Sequence, residues 1–442
     1  MGLFHDVEDR NTILVASGIR SYNIDHFAGA IRKLSVELDR KIKVVFIADA
    51  KKSTMIPALI KKIPNSSLLV CDTYSLISLE NTLLPLADKL LAVLCRIEDD
   101  IPLFKRVIPH VPYLLTPNAE SLDWTTNKIQ MRRRLATFNP KISPIYSVAE
   151  DSSKTTIDRI IKKVGFPMVI KPAGLAASLL VSVCYDEEEF SNALKNAFSH
   201  LKKAYRDYQG RGEPQILVEQ FLEGTMYSID AYVNARGRVY TCPPVHVKTG
   251  RAIGIDDFHG YQQLTPVKLQ KHRVEQAESI AKDAVLALGL RNLTCHIEMI
   301  VTERKGWKII EVAARPGGFR DILYNLAYGF DHAYNDILIR LPKRPEILRK
   351  PKGYAVAMKF FPRKEGILEN VVGLEKLKKF ESFYRLMVNK KNGDMCMHAK
   401  HGGKSVFDVI MFNQNRAKLI ADIRRLERLV TIFVGPKKKS NK

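Results

Sequence analysis

The chain has 442 residues, 46% hydrophobic and 26% charged, with 24 Gly and 21 Pro. This length exceeds what one hydrophobic core organises, so about three domains are expected, and the composition excludes a fibrous or disordered chain. The formal charge of +23 is uneven: after Pro345 there are 23 Lys/Arg against 9 Asp/Glu, a surplus that suits an anionic partner or a solvated basic surface.

The most apolar stretch, Leu83 to Cys95, is interrupted by Asp88 and Lys89, and Met1 is followed closely by His5, Asp6 and Glu8. Neither a membrane span nor a secretion signal is expected. Six cysteines are scattered without the close pairing of a zinc site or a disulfide framework. They read as buried thiols of a reducing, cytoplasmic compartment.

In chain order, apolar runs at Thr12–Ala16, Lys43–Ile47 and Ser67–Val70 alternate with a helix-like Phe27–Leu38, the signature of a parallel α/β layer. Pro109, Pro112 and Pro117 interrupt any helix and mark a boundary. A helix is expected over Glu120–Thr137, then a small α+β lobe ending at Gln215–Gln220. A sheet-rich lobe follows, with strands at Tyr227–Asn234 and Val239–Thr241, a polar loop through His259, a helix at Arg273–Leu288 and a hairpin at Cys295–Ala314. After Pro345 the pattern resumes with Tyr354–Phe361, Gly373–Lys379, Ser405–Met411 and a basic helix at Gln414–Leu429. The expected domains are 1–118, 119–224, 225–345 and a basic 346–442 with a Lys-rich tail.

The hairpin carries the clearest chemistry. Glu298 and Glu311 lie in strand-like runs joined by a tight turn around Arg304–Gly306, so pairing brings them opposite each other or within one residue. Facing like charges destabilise a ladder and acids are depleted from strands, so a cation is expected between them. Magnesium takes one or two carboxylates plus phosphate oxygens. Strand alternation puts Glu311, Ala313 and Arg315 on one face. The bland alternative is a soluble strand edge.

Two weaker signals lie upstream. The apolar strand Phe166–Lys171 opens into a loop of small residues, Gly174, Ala176, Ala177 and Ser178, where backbone N–H groups can approach phosphates and Lys171 can neutralise them. The stretch Ile216–Asp230 runs from a strand into an interlobe linker, where backbone groups can meet a purine edge and Phe221 or Leu222 its face.

In this order and spacing, and above all in Ile310-Glu-Val-Ala-Ala-Arg-Pro-Gly-Gly318, the chain resembles the ATP-grasp superfamily, particularly its amino-acid and dipeptide ligases. The resemblance implies a multidomain α/β and α+β fold: a Rossmann-like N-terminal domain, two lobes gripping ATP, and a small C-terminal α+β domain. It implies ATP and Mg²⁺, with Mn²⁺ as the alternative ion. Lys128 and Lys171 resemble the phosphate-binding lysines, and Ser178 belongs to the phosphate loop. Glu219, Gln220, Phe221 and Leu222 resemble the adenine-holding hinge, Glu298 and Glu311 the magnesium ligands, and Arg315 the arginine that stabilises charge at the reacting carbonyl.

The implied activity is an ADP-forming ligase that joins a small-molecule carboxylate to an amine through an acyl phosphate. Alternatives are a carboxylase or acyl-CoA synthetase of the same fold, and a non-catalytic ATP- or nucleic-acid-binding protein; a homodimer is compatible with any of them. Three departures stand out. The phosphate loop is poor in glycine. Met226 occupies the position where an acid often holds ribose, leaving either Glu223 or Asp230 as a substitute or a loosely held ribose. Ala313 replaces a common metal-binding asparagine. Substrate recognition is expected within His246–Tyr261, from Lys248, Arg251, Asp256, Asp257 and His259.

Overall fold

The computed structural model describes residues 9–50, 56, 60–175, 179–208, 210–254 and 257–436. Ala176, Ala177, Ser178, Asp256 and the Lys-rich tail lie outside the described residues.

The first layer is a parallel sheet of β1 (Thr12–Ala16), β2 (Lys43–Ala48), β3 (Ser66–Val70) and β4 (Leu90–Leu94), in the order β3-β2-β1-β4. Every residue of β1 and β4 is buried, as continuous apolar runs in a parallel sheet require. The helix Ile24–Glu37 sets Phe27, Ile31 and Leu34 against this sheet and against Tyr334 and Ile337 of the helix His332–Leu338. One core therefore joins the N-terminal layer to the segment that follows Arg315.

The second sheet is antiparallel: β5 (Tyr146–Ala149), β6 (Met168–Pro172), β7 (Ser182–Cys184) and β8 (Ile216–Gln220), ordered β5-β8-β6-β7. The helices Lys154–Val164 and Glu187–Asp207 close its core through Ile160, Phe190 and Leu194. The longer helix is capped by Asp186 and carries Glu187, Glu188 and Glu189 in its first turn, where negative charge suits the helix dipole.

The third sheet contains β9 (Thr225–Val233), β10 (Val239–Thr241), β11 (Val245–Thr249), β12 (Gly260–Thr265), β13 (Leu293–Thr302), β14 (Gly306–Ala313) and β15 (Tyr354–Phe360). Its path, β14-β13-β9-β11-β12-β15-β19-β17, continues into β17 (Phe383–Val388) and β19 (Phe407–Asn413) of the last quarter. A further small sheet joins β16 (Gly366–Val372), β18 (Met395–Cys396) and β20 (Thr431–Gly435).

Two expectations are corrected. The segment expected as a polar loop through His259 contains a pair of strands, β11 and β12, with His246 opposite Leu264; Val245 and Val247 are buried while His246 and Lys248 are half-buried, the two-residue repeat of a strand whose polar face reads as loop. The single helix over Glu120–Thr137 is two helices, Ala119–Thr126 and Lys128–Phe138. Asn127 breaks it: its backbone is extended, and its side chain accepts from the N–H groups of Ile129 and Gln130, as an N-cap does. Lys128 thus becomes the first residue of a new helix.

Candidate functional site

Glu298 pairs with Glu311 across β13 and β14, and the register shifts by one residue immediately after Glu298. The turn is held by Thr302, whose Oγ1 accepts from the Lys305 N–H at 2.9 Å. Both carboxylates remain partly accessible, with side-chain exposures of 32% for Glu298 and 27% for Glu311, so a ligand can reach them. Lys128 Nζ lies 3.4 Å from Glu311 Oε1 and donates to the Leu175 carbonyl at 2.7 Å. The capped helix therefore brings the metal-type carboxylate, a lysine and the loop after β6 to one place.

One turn along the same helix, Arg132 donates from Nε to Glu219 Oε1 at 2.5 Å and from Nη2 to the Ile310 carbonyl at 2.6 Å. Lys171 Nζ meets the other oxygen of Glu219 at 2.5 Å. Burial lowers the Lys171 ammonium, with Glu219 opposing it. Burial would raise the Glu219 carboxyl, but Arg132 and Lys171 hold it below its ordinary value. Glu219 is only 2% exposed and its carboxylate is taken up by Arg132 and Lys171, while Arg132 itself reaches the large-lobe carbonyl of Ile310. An adenine at this linker would therefore meet the residues that follow Glu219. There, Gln220 and Phe221 donate their backbone N–H groups to Ile145 and Pro167. Leu222 is buried, and Phe221 packs edge-on to Phe258 beneath the Arg251 guanidinium. At Gly224 a Cβ would fall 2.2 Å from the Val301 carbonyl, so only glycine lets the linker cross the hairpin this closely.

Arg315 is engaged by a residue that sequence reasoning missed. Its Nη2 lies 2.7 Å from Glu98 Oε2, while Arg211 Nη1 approaches Glu98 Oε1 at 3.3 Å. Burial would raise the Glu98 carboxyl, yet the two guanidinium groups bring it down to about 2. Arg96, two residues earlier, is fully packed between Asp321 and Asp336 at 2.7 Å each, and this fixes Glu98 relative to the large lobe. A signal for Glu98 existed: it follows the carboxyl end of a strand in an open parallel sheet, where such folds place ligands.

Behind Glu298 runs a second network absent from the sequence reading. His296 shares the face of Glu298, its Nε2 3.4 Å from Glu298 Oε1 and its Nδ1 2.6 Å from Asp230 Oδ1. Asp230 also accepts from the Gly317 N–H at 2.7 Å and faces His332 Nε2 at 3.1 Å; His332 in turn contacts Tyr232. Burial opposes charge on His296, but Asp230 outweighs it and raises the imidazole above its usual value. Asp230 is fully buried and committed to these partners, so it does not serve as a ribose-binding acid.

The helix Arg320–Tyr328 begins after Phe319, whose φ of 61° is left-handed and whose ring stacks on Tyr22 at 4.3 Å. Beside it, Lys359 Nζ meets His259 Nε2 at 2.7 Å. Burial brings the Lys359 ammonium down to about 8, against the pull of Asp408. Of the other residues expected at the substrate, Arg251 hydrogen-bonds Tyr185, and Asp257 accepts from the His259 and Lys400 N–H groups.

Residues 164–321 match the ATP-grasp domain family. The D-alanine--D-alanine ligase of Wigglesworthia glossinidia brevipalpis is 22% identical over 202 residues, 44% of this chain and 52% of that protein. The chain spans about half the length of the curated relatives it matches first. The crystal structure of an L-amino acid ligase from Bacillus licheniformis superposes with a TM-score of 0.73 at 16% identity, covering 96% of this chain and 99% of the other. The biotin carboxylase domain of Hydrogenobacter thermophilus 2-oxoglutarate carboxylase, crystallised as a dimer with MgADP, ADP and bicarbonate, superposes with a TM-score of 0.67 at 14% identity, covering 96% and 90%. The chain has the ATP-grasp fold, as its motifs implied.

Proposed function

We propose that this chain is an ATP-dependent carboxylate–amine ligase, forming an amide through an acyl phosphate and releasing ADP and phosphate. The observation that carries the reading is the registered pair Glu298–Glu311, which meets Lys128 where the small-lobe loop reaches the hairpin. Two partly accessible carboxylates facing each other, with a lysine as the neighbouring cation, fit a divalent ion. Mg²⁺, or Mn²⁺ in its place, would be held by Glu298 and Glu311 and would supply charge neutralisation for the ATP phosphates.

In this reading Lys128 and Lys171 offset the negative charge that builds up as a substrate carboxylate attacks the γ-phosphorus and ADP leaves. Ser178 would contribute to phosphate binding, as the resemblance implies. Gln220, Phe221 and Leu222 line the purine site. Arg315, freed from Glu98, stabilises the oxyanion when the amine adds to the acyl carbon, and phosphate departs as the carbonyl re-forms. The substrates are a small-molecule carboxylate and amine. The scattered, unpaired cysteines suit a cytoplasmic setting.

The test is a phosphate-release screen of amino acids, singly and in pairs, with ATP and Mg²⁺, followed by mass spectrometry. The reading expects release that needs both partners and a product equal to their sum less one water, lost in Arg315→Ala. Release that requires bicarbonate or coenzyme A instead of an amine would replace it with the carboxylase or acyl-CoA alternative.

A further inference from the structure

The network behind Glu298 is more elaborate than a carboxylate pair needs. His296 and Glu298 are two apart on β13, so both side chains leave the same face of the strand, and the imidazole Nε2 stands 3.4 Å from Glu298 Oε1. Two neighbouring ligands of an octahedral ion, each about 2.1 Å from it, lie about 3 Å apart. The other ring nitrogen is fixed from behind: Nδ1 lies 2.6 Å from Asp230, whose carboxylate is itself fixed by the Gly317 N–H at 2.7 Å and by His332 at 3.1 Å.

A carboxylate that accepts a hydrogen bond from Nδ1–H, orients the ring and leaves Nε2 directed toward the neighbouring carboxylate ligand is the arrangement by which proteins present a histidine to a metal. The backbone is fitted to it. A Cβ on Gly317 would fall 2.5 Å from His296 Nδ1 and 2.8 Å from Asp230 Oδ1, so the residue two after Arg315 must lack a side chain for the brace to exist.

We propose that His296 is itself a metal ligand, so that Nε2 with the Glu298 and Glu311 carboxylates makes a mixed nitrogen–oxygen site favouring a first-row transition ion such as Mn²⁺ over Mg²⁺. This rests on the ligase reading only for the statement that Glu298 and Glu311 hold a divalent ion. Among the described residues the three groups are not gathered about one point; Glu311 is paired with Lys128. Binding therefore requires Glu311 to exchange that lysine for the ion and any Nε2 proton shared between His296 and Glu298 to leave to solvent, while the two side chains keep their places. Imidazole adds more to the affinity of a transition ion than to that of Mg²⁺, which prefers oxygen.

The experiment is electron spin-echo envelope modulation of Mn²⁺ bound to the full chain with ADP, using unlabelled protein and protein carrying ¹⁵N-histidine. The proposal expects nitrogen modulation that changes from the ¹⁴N to the ¹⁵N pattern with the histidine label. It also expects the modulation to vanish in His296→Gln, with Mn²⁺ affinity reduced at least about tenfold and Mg²⁺ affinity reduced less. The labelled wild type keeps the test decisive should the variant fail to fold. Tightly bound Mn²⁺ without histidine nitrogen coupling overturns the proposal and leaves the carboxylate pair intact. Failure of Mn²⁺ to bind at all overturns both.

Discussion

Glu98 and Arg315 stand 217 positions apart in the chain and meet with Glu98 Oε2 2.7 Å from Arg315 Nη2. The folded environment holds the Glu98 carboxyl at about 2 against its ordinary 4.5. A group depressed in this way stabilises the fold fully above its unfolded value, and that contribution is lost as the pH falls through the folded value. Glu98→Gln is therefore expected to cost about 2 kcal/mol at pH 7, since it leaves two guanidinium groups short of a partner. Denaturant unfolding at a series of pH values should show the gap between variant and wild type closing from about pH 4.5 toward pH 2. A gap independent of pH contradicts this account of the pair.

Asn127 is expected to matter twice. Removing the cap in Asn127→Ala should cost about 1 kcal/mol of stability. Because the cap starts the helix that presents Lys128 to Glu311, the variant should also raise the KM for ATP several-fold with a smaller change in kcat. Unfolding curves together with ATP saturation kinetics check both effects; a stability loss with unchanged KM would detach Lys128 from the nucleotide.

How much of this was legible in the sequence varies with chain distance. β1 falls on the expected Thr12–Ala16, and the Glu298–Glu311 pairing follows from a short turn and the two-residue repeat of a strand, both local properties. The Arg132–Glu219 pair spans 87 positions and the Glu98–Arg315 pair 217, and such contacts are set by how whole layers pack, which periodicity does not encode. Asn127 was readable in principle, being a good N-cap before Lys128, but no proline or glycine lies between Glu120 and Thr137 to mark the break. His296 lay in plain view two residues before Glu298; its meaning needs Asp230, which comes from another strand.

Gly317→Ala should destabilise the fold by about 1–3 kcal/mol, the usual cost of overpacking, because the new methyl group meets His296 and Asp230. Stability measured by denaturant and divalent-ion affinity measured by titration should fall together. Wild-type values for both would show that the brace yields freely.

Asp331 gives a prediction of opposite sign. Burial, reinforced by Asp321, pushes its carboxyl up to about 6, and its side chain caps the helix His332–Leu338 by accepting from the Tyr334 N–H. A carboxyl raised on folding binds its proton more tightly in the folded state, so stability falls as the pH climbs from about 4 to about 6. Asp331→Asn keeps the acceptor and removes the charge. It should be more stable than wild type by about 1–2 kcal/mol at pH 7 and equal to it near pH 4, as read from unfolding midpoints at the two values.

The most direct measurement is equilibrium binding of Mn²⁺ in the presence of ADP, followed by electron paramagnetic resonance, for wild type, Glu298→Gln, Glu311→Gln and the double variant. If the two registered carboxylates hold the ion, each single substitution should weaken it at least about tenfold, and the double variant should bind no more tightly than bulk surface sites. Unchanged affinity in Glu311→Gln, in a protein that still binds ADP, would contradict the account.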